Sequence, residues 1–199
     1  MKTKAFLFLI ATAMLVFMGC SKDNNNPTGP GGSDDPDNWL YFGVKAATIV
    51  YSQTSGDDFK VIFDDGGKKF RLEEEGQIII ANEDAGKCYI LDPENKTYIA
   101  LDAAFAGSFR VSFLFYGDDA SKGWQYYPGF AKQSNKTIAG KNCSVYKWND
   151  GDGGTIEWGG WSRITFLYKD GDDKIEAKSF SESIAPNSFT VPADYEKEY

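Results

Sequence analysis

The chain contains three cysteines and no histidine, and those two facts bound its chemistry. Without imidazole there is no Ser-His-Asp or Cys-His nucleophile, no histidine metal ligand and no histidine proton shuttle. Acids are plentiful, and two patterns among them resemble sites. Asp150-Gly151-Asp152-Gly153-Gly154-Thr155 alternates carboxylates with glycines, as an oxygen-rich calcium loop does. Counted from Asp150, however, the sixth residue is Thr155 rather than glycine, and Trp161 holds the twelfth position, where a bidentate Glu belongs. The stretch therefore reads as a solvated hairpin turn, and so does Asp170-Gly171-Asp172-Asp173. Glycoside hydrolysis would need two carboxyl groups roughly 5–10 Å apart, and no pair stands out along the chain. The expectation is a noncatalytic protein with no metal and no cofactor.

Binding chemistry is better represented. Trp124, Tyr126, Tyr127, Trp148, Trp158 and Trp161 could line a groove and stack on sugar rings or acyl chains. Aromatic side chains also dominate ordinary cores and curved sheets, and filling a core is the favoured reading of the same residues.

The first cysteine has a distinct context. Lys2 and Lys4 precede an apolar run from Ala5 to Met18, interrupted by Thr12 and ending in Gly19-Cys20. A membrane span needs about 20 apolar residues, so this run reads as a secretion signal over residues 1–19. The small residue before Cys20 resembles the lipobox of bacterial lipoproteins, which implies cleavage before Cys20 and lipidation of its sulfur. Phe17 and Met18 depart from the smaller or aliphatic residues usual there. Residues 21–38 contain no large apolar side chain and many Asn, Gly, Pro and Asp, so they form a flexible tether. As a Gly-rich coil it would span roughly 20–25 Å. Ser21 after the cysteine argues against inner-membrane retention, by analogy with enteric sorting rules. The implied location is the outer membrane, lipid-anchored and facing the periplasm or the cell surface.

Residues 39–199 then make one domain, large enough to bury a core. Losing Lys2 and Lys4 with the signal, and no acid, takes the net charge from −8 to −10. Such a surface repels phosphate backbones, so nucleic acid is excluded as a partner. It also disfavours lying flat on anionic lipid, which leaves the acyl chains to hold the membrane.

The elements of this domain are read from period-two alternation. Trp39 to Tyr51 is expected as one long strand, with Leu40, Phe42, Val44 and Val50 on one face. Phe59, Val61 and Phe63, then Phe70 and Leu72, alternate with polar partners on either side of Asp64-Asp65-Gly66-Gly67, a hairpin pattern. Gln77–Ala81, Lys87–Leu91 and Thr97–Leu101 continue the antiparallel sheet, the last two joined by the turn Asp92-Pro93-Glu94-Asn95-Lys96. Asn142–Trp148 resumes it, and Ile164, Phe166 and Tyr168 can pair with Ile175 and Ala177. Between these lies an ambiguous segment, Asp102 to Gln133. Ala103 to Ala106 could begin a helix, whereas Phe109, Val111, Phe113 and Phe115 alternate like a strand.

Three stretches carry a resemblance: Cys88 to Tyr98 (CYILDPENKTY), Lys136 to Cys143 (KTIAGKNC) and Ser188 to Tyr195 (SFTVPADY). Their order and spacing resemble small envelope proteins with the lipoprotein-carrier fold. That resemblance implies a mainly β architecture: a strongly curved antiparallel sheet, an incomplete barrel, wrapped around a few short helices or a lid. It brings no catalytic motif and no site residues. Beyond the anchor, Cys88 and Cys143 are the remaining thiols, and in an oxidising envelope an even remainder suggests a disulfide. Such a bridge would stabilise by about 4 kcal/mol on the chain-entropy model; the alternative is two small buried hydrophobes that never meet.

The function expected is capture of an apolar or amphipathic, lipid-like ligand on the concave face of the sheet, or a structural role. Phe109, Phe113 and Phe115 are the expected contacts, as the densest apolar positions of the ambiguous segment. A glycan-binding surface module is the alternative, and a carboxylate-dependent hydrolase a poorer one.

Overall fold

The computed structural model describes residues 41–102, 105, 109–110, 112–115, 128–150 and 152–198. The signal, Cys20, the tether and Trp39, Leu40, Val111, Trp124, Tyr126, Tyr127 and Gly151 lie outside the described residues. All described residues belong to one compact unit, Leu40–Tyr199.

Six strands form an antiparallel meander: β1 (Ala47–Gln53), β2 (Phe59–Asp64), β3 (Lys69–Glu74), β4 (Gln77–Asn82), β5 (Lys87–Asp92) and β6 (Thr97–Asp102). Five more follow, β7 (Ala131–Ile138), β8 (Lys141–Asn149), β9 (Thr155–Trp161), β10 (Ile164–Asp170) and β11 (Asp173–Ser181). β11 returns to pair antiparallel with β1, and the two-residue β12 (Glu196–Lys197) adds to β6 in parallel. The described strands thus join in one sheet of order β12-β6-β5-β4-β3-β2-β1-β11-β10-β9-β8-β7. It is strongly curved and does not close into a barrel, which is the fold class read from the sequence.

The alternation predicted for β2 to β5 places Phe59, Val61, Phe63, Phe70, Leu72, Ile79, Ala81 and Cys88 in the main apolar cluster. β1 departs from its reading. It begins at Ala47, and its buried face is Ala47, Ile49 and Tyr51, so Val50 lies on the other face. The break comes at Gly43, whose φ of 71° is left-handed backbone that ends an extended run. Phe42 is buried by a different route, its N–H donating to the Gly66 carbonyl at 3.1 Å. In the β5–β6 turn, Asp92 accepts from the N–H groups of Glu94 (2.9 Å) and Asn95 (3.1 Å), and the left-handed residue is Lys96 (φ 53°) rather than Asn95.

β7 and β9 are not legible as strands in the sequence. β7 is almost wholly exposed and polar, and β9 carries Gly159 and Gly160 near its C-terminal end. A Cβ on Gly160 would sit 2.2 Å from the Phe115 ring and 2.4 Å from the Ile164 carbonyl. Glycine is there because another chain segment packs directly on the backbone. The pairing of β10 with β11 does match, with Tyr168 opposite Ile175, and a bulge between Thr165 and Leu167 interrupts the register with β9.

The outer face of the meander is covered too. Ile62, Ile80 and Leu91 alternate away from the main cluster yet are 5%, 0% and 0% exposed. The chain after β11 crosses this face: the Arg71 guanidinium donates to the Ser188 carbonyl at 3.0 Å, and residues 184–190 lie against Asp64, Lys69 and Asn82. The strap ends on the β6 edge, where Glu196 N–H donates to the Lys96 carbonyl at 2.9 Å.

Candidate functional site on the concave face

An open curved sheet leaves an apolar concave face that something must cover. Among the described residues the cover is Phe109, Arg110 and 112–115, which do not form a strand as the alternation suggests. Phe109 and Arg110 are helical, a turn follows in which Phe113 N–H donates to the Arg110 carbonyl at 3.0 Å, and only the end is extended. Leu114 bridges Ile164, with Phe115 N–H donating to the Arg163 carbonyl and Thr165 N–H to the Phe113 carbonyl, both at 2.9 Å. The plug is thus stitched to the start of β10 by backbone bonds.

The three phenylalanines expected to meet a ligand all lie in this plug, and each sits differently. Phe113 enters the main cluster, its ring centroid 5.8 Å from Tyr51, 5.9 Å from Phe59 and 6.0 Å from Phe70. Phe115 enters a second aromatic cluster with Tyr146, Trp148 and Trp158, its centroid 4.8 Å from Trp158 in an edge-on contact. Phe109 packs half-buried against the main cluster. Thr165 links the two clusters by accepting from Trp158 Nε1 at 3.0 Å and donating to the Leu114 carbonyl at 3.2 Å.

Arg110 is the residue that sequence reasoning missed. It is 7% exposed and forms an ion pair with Glu83, on the turn between β4 and β5. Its guanidinium also donates to the Gly67 carbonyl at 3.2 Å and lies 3.6 Å from the Tyr41 ring centroid. Tyr41 in turn donates its hydroxyl to the other Glu83 oxygen at 3.2 Å. Desolvation is the main cause that pushes the Tyr41 phenol up, Glu83 adding to it against the opposing pull of Arg110. Among the described residues the buried Nε of Arg110 has no acceptor, which is costly for a charged donor. An isolated Arg amid aromatic residues carries no motif by which to find it.

Several other polar groups are engaged structurally. Tyr51 is buried and donates to the Thr165 carbonyl at 2.8 Å; burial pushes its phenol far up. Cys88 and Cys143 are free, fully buried thiols, and burial raises Cys143 to about 11. Trp148 and Trp158 are buried and Trp161 half-buried, so these three form no exposed row. Asp150 spends its carboxylate on the N–H groups of Asp152 (2.8 Å) and Gly154 (2.9 Å), as a turn residue does. Among the described residues no group of acids and cysteines is arranged to hold a metal ion. Two open depressions, of about 420 and 480 Å³, lie at the strap and beside the β1–β4 hairpin ends.

No protein-family model matches the chain, and no curated protein matches it. Among solved structures, it is similar to an uncharacterised conserved protein from Thermus thermophilus, at 7% identity and a TM-score of 0.49, over 77% of this chain and 90% of that one. It is also similar to MucB in complex with MucA(peri), at 10% identity and a TM-score of 0.43, over 78% of this chain and 56% of that one.

Proposed function

We propose that the protein is a noncatalytic, lipid-anchored protein of the bacterial envelope, of the lipoprotein-carrier type, that binds an apolar or amphipathic ligand on the concave face of its sheet. The observation that carries this reading is the nature of the cover. Phe113, Leu114 and Phe115 reach that face from a turn and an isolated bridge, not from the strands that build the sheet. A plug outside the strand ladder can be exchanged for a ligand of similar shape more readily than a strand-borne core. The anchor rests on the order Lys2, Lys4, apolar run, Gly19-Cys20.

The test uses the Cys20→Ser chain, which lacks the acyl anchor and keeps every described residue. A fluorescent fatty-acid probe should bind it saturably. Phe113→Ala and Phe115→Ala should change probe affinity more than Trp161→Ala. Absence of saturable binding would leave a structural role as the better reading.

A further inference from the structure

We propose that the ligand carries one anionic head group, a carboxylate or a phosphate, and that Arg110 receives it; this rests on the concave-face reading above. A buried guanidinium is costly unless it is paired and its donors are satisfied. Arg110 meets the first condition through Glu83 and fails the second, because among the described residues the buried Nε has no acceptor while the pairing falls on Nη1. Nε and one Nη together form the edge that a carboxylate or phosphate engages with two parallel bonds. Glu83 and the Gly67 carbonyl are both on Nη1, outside the edge that Nε forms with Nη2, and the unpaired donor belongs to that edge.

Glu83 is also placed to give way. It stands on the β4–β5 turn with its side chain 26% exposed, whereas the Arg110 side chain is 9% exposed. A carboxylate near water recovers hydration on release, while the arginine stays buried and needs another anion. Glu83 therefore neutralises the guanidinium from Nη1, and a head group on the Nε edge competes with it for that charge. The tail has a matching place: Phe113 follows Arg110 by one turn and its ring fills the space among Tyr51, Phe59 and Phe70. A buried cation one turn from an aromatic ring outside the strands fits an amphiphile, with the head at Arg110 and the chain where Phe113 now stands.

The experiment compares dodecanoate, dodecyl phosphate, dodecanol and dodecyltrimethylammonium as competitors of the fatty-acid probe on the Cys20→Ser chain. The two anionic probes should bind at least about tenfold more tightly than dodecanol, as a charged hydrogen-bonded pair provides. Preference for dodecanoate or for dodecyl phosphate distinguishes a fatty acid from a phospholipid-like source. Glu83→Gln removes the competing negative charge and should tighten anionic probes by about tenfold without moving dodecanol. Arg110→Gln should bring the anionic probes to the level of dodecanol. Equal binding of anionic and neutral probes in the parent chain, or an unchanged preference in both variants, overturns the head-group inference and leaves the concave-face reading intact. Failure of all four probes to compete overturns both.

Discussion

Lys96 and Asp194 are 98 positions apart in the chain, and their side chains meet at 2.8 Å. The contact joins two of the three stretches that carry the family resemblance, the β5–β6 turn and the C-terminal strap. Both side chains are well exposed, so the ion pair itself contributes little. Its value is as a marker of where the strap ends, beside the parallel pairing of β12 with β6. The strap covers the outer face, where Ile62, Ile80 and Leu91 are buried. Deleting residues 182–199 should expose those side chains and the β6 edge, giving strong binding of a hydrophobic dye and self-association. A truncated chain that stays monomeric with unchanged dye binding would contradict this role.

Phe113→Ala should destabilise the fold by about 3–5 kcal/mol, the usual cost of emptying an aromatic core site. Urea unfolding followed by tryptophan fluorescence measures it. Trp161→Ala, at a half-buried position, should cost less.

Gly160→Ala should dislodge the plug without touching it. The new methyl would meet the Phe115 ring and the Ile164 carbonyl, so either the plug or β10 must move. Increased hydrogen exchange at Phe113 and Phe115, whose N–H groups donate to the Arg110 and Arg163 carbonyls, is the expected readout.

Glu157 on β9 is 8% exposed and paired with Lys136 and Lys147. Burial alone would raise its carboxyl, but the two lysines outweigh that and hold it below the usual range. A folded-state value below the unfolded one contributes stability that is full above the unfolded carboxyl range and disappears as pH falls through the folded value. Glu157→Gln should therefore cost about 1–3 kcal/mol at neutral pH. The gap from the parent should shrink as pH falls from the unfolded carboxyl range through the lower folded value. A cost independent of pH would refute the ionic origin.

The sequence leaves the pairing of Cys88 with Cys143 open, and in the structure both are free thiols buried in the core. Both should resist labelling in the native state and label fully on unfolding without reductant. A requirement for prior reduction would show a bridge.

How far the sequence carries depends on where each side chain finds its partner. The meander β2 to β6 is legible because each strand pairs with its chain neighbour, so local alternation and turn residues specify the register. β9 is not, because Gly159 and Gly160 are explained by neighbours across the sheet and on the plug, Val145 and Phe115 among them. The same applies to Arg110, whose partners Glu83, Gly67 and Tyr41 come from three separate parts of the chain. The aromatic residues suggest a surface groove, yet Trp148 and Trp158 pack edge to face at 6.4 Å in a buried cluster. Composition reports that apolar rings are abundant; only the fold decides which face they occupy.

Cys20→Ser should block acylation and leave the protein unprocessed or released from the membrane, as read by fractionation and by the loss of lipid mass. Normal processing with membrane retention would contradict the anchor.

Photoaffinity labelling with a diazirine fatty acid tests the concave-face account most directly. Mass-mapped adducts on the Cys20→Ser chain should fall on Tyr51, Phe59, Phe70 and the 109–115 run, and unlabelled dodecanoate should compete them away. Adducts confined to the outer face or the strap, or adducts that excess dodecanoate leaves unchanged, would contradict it.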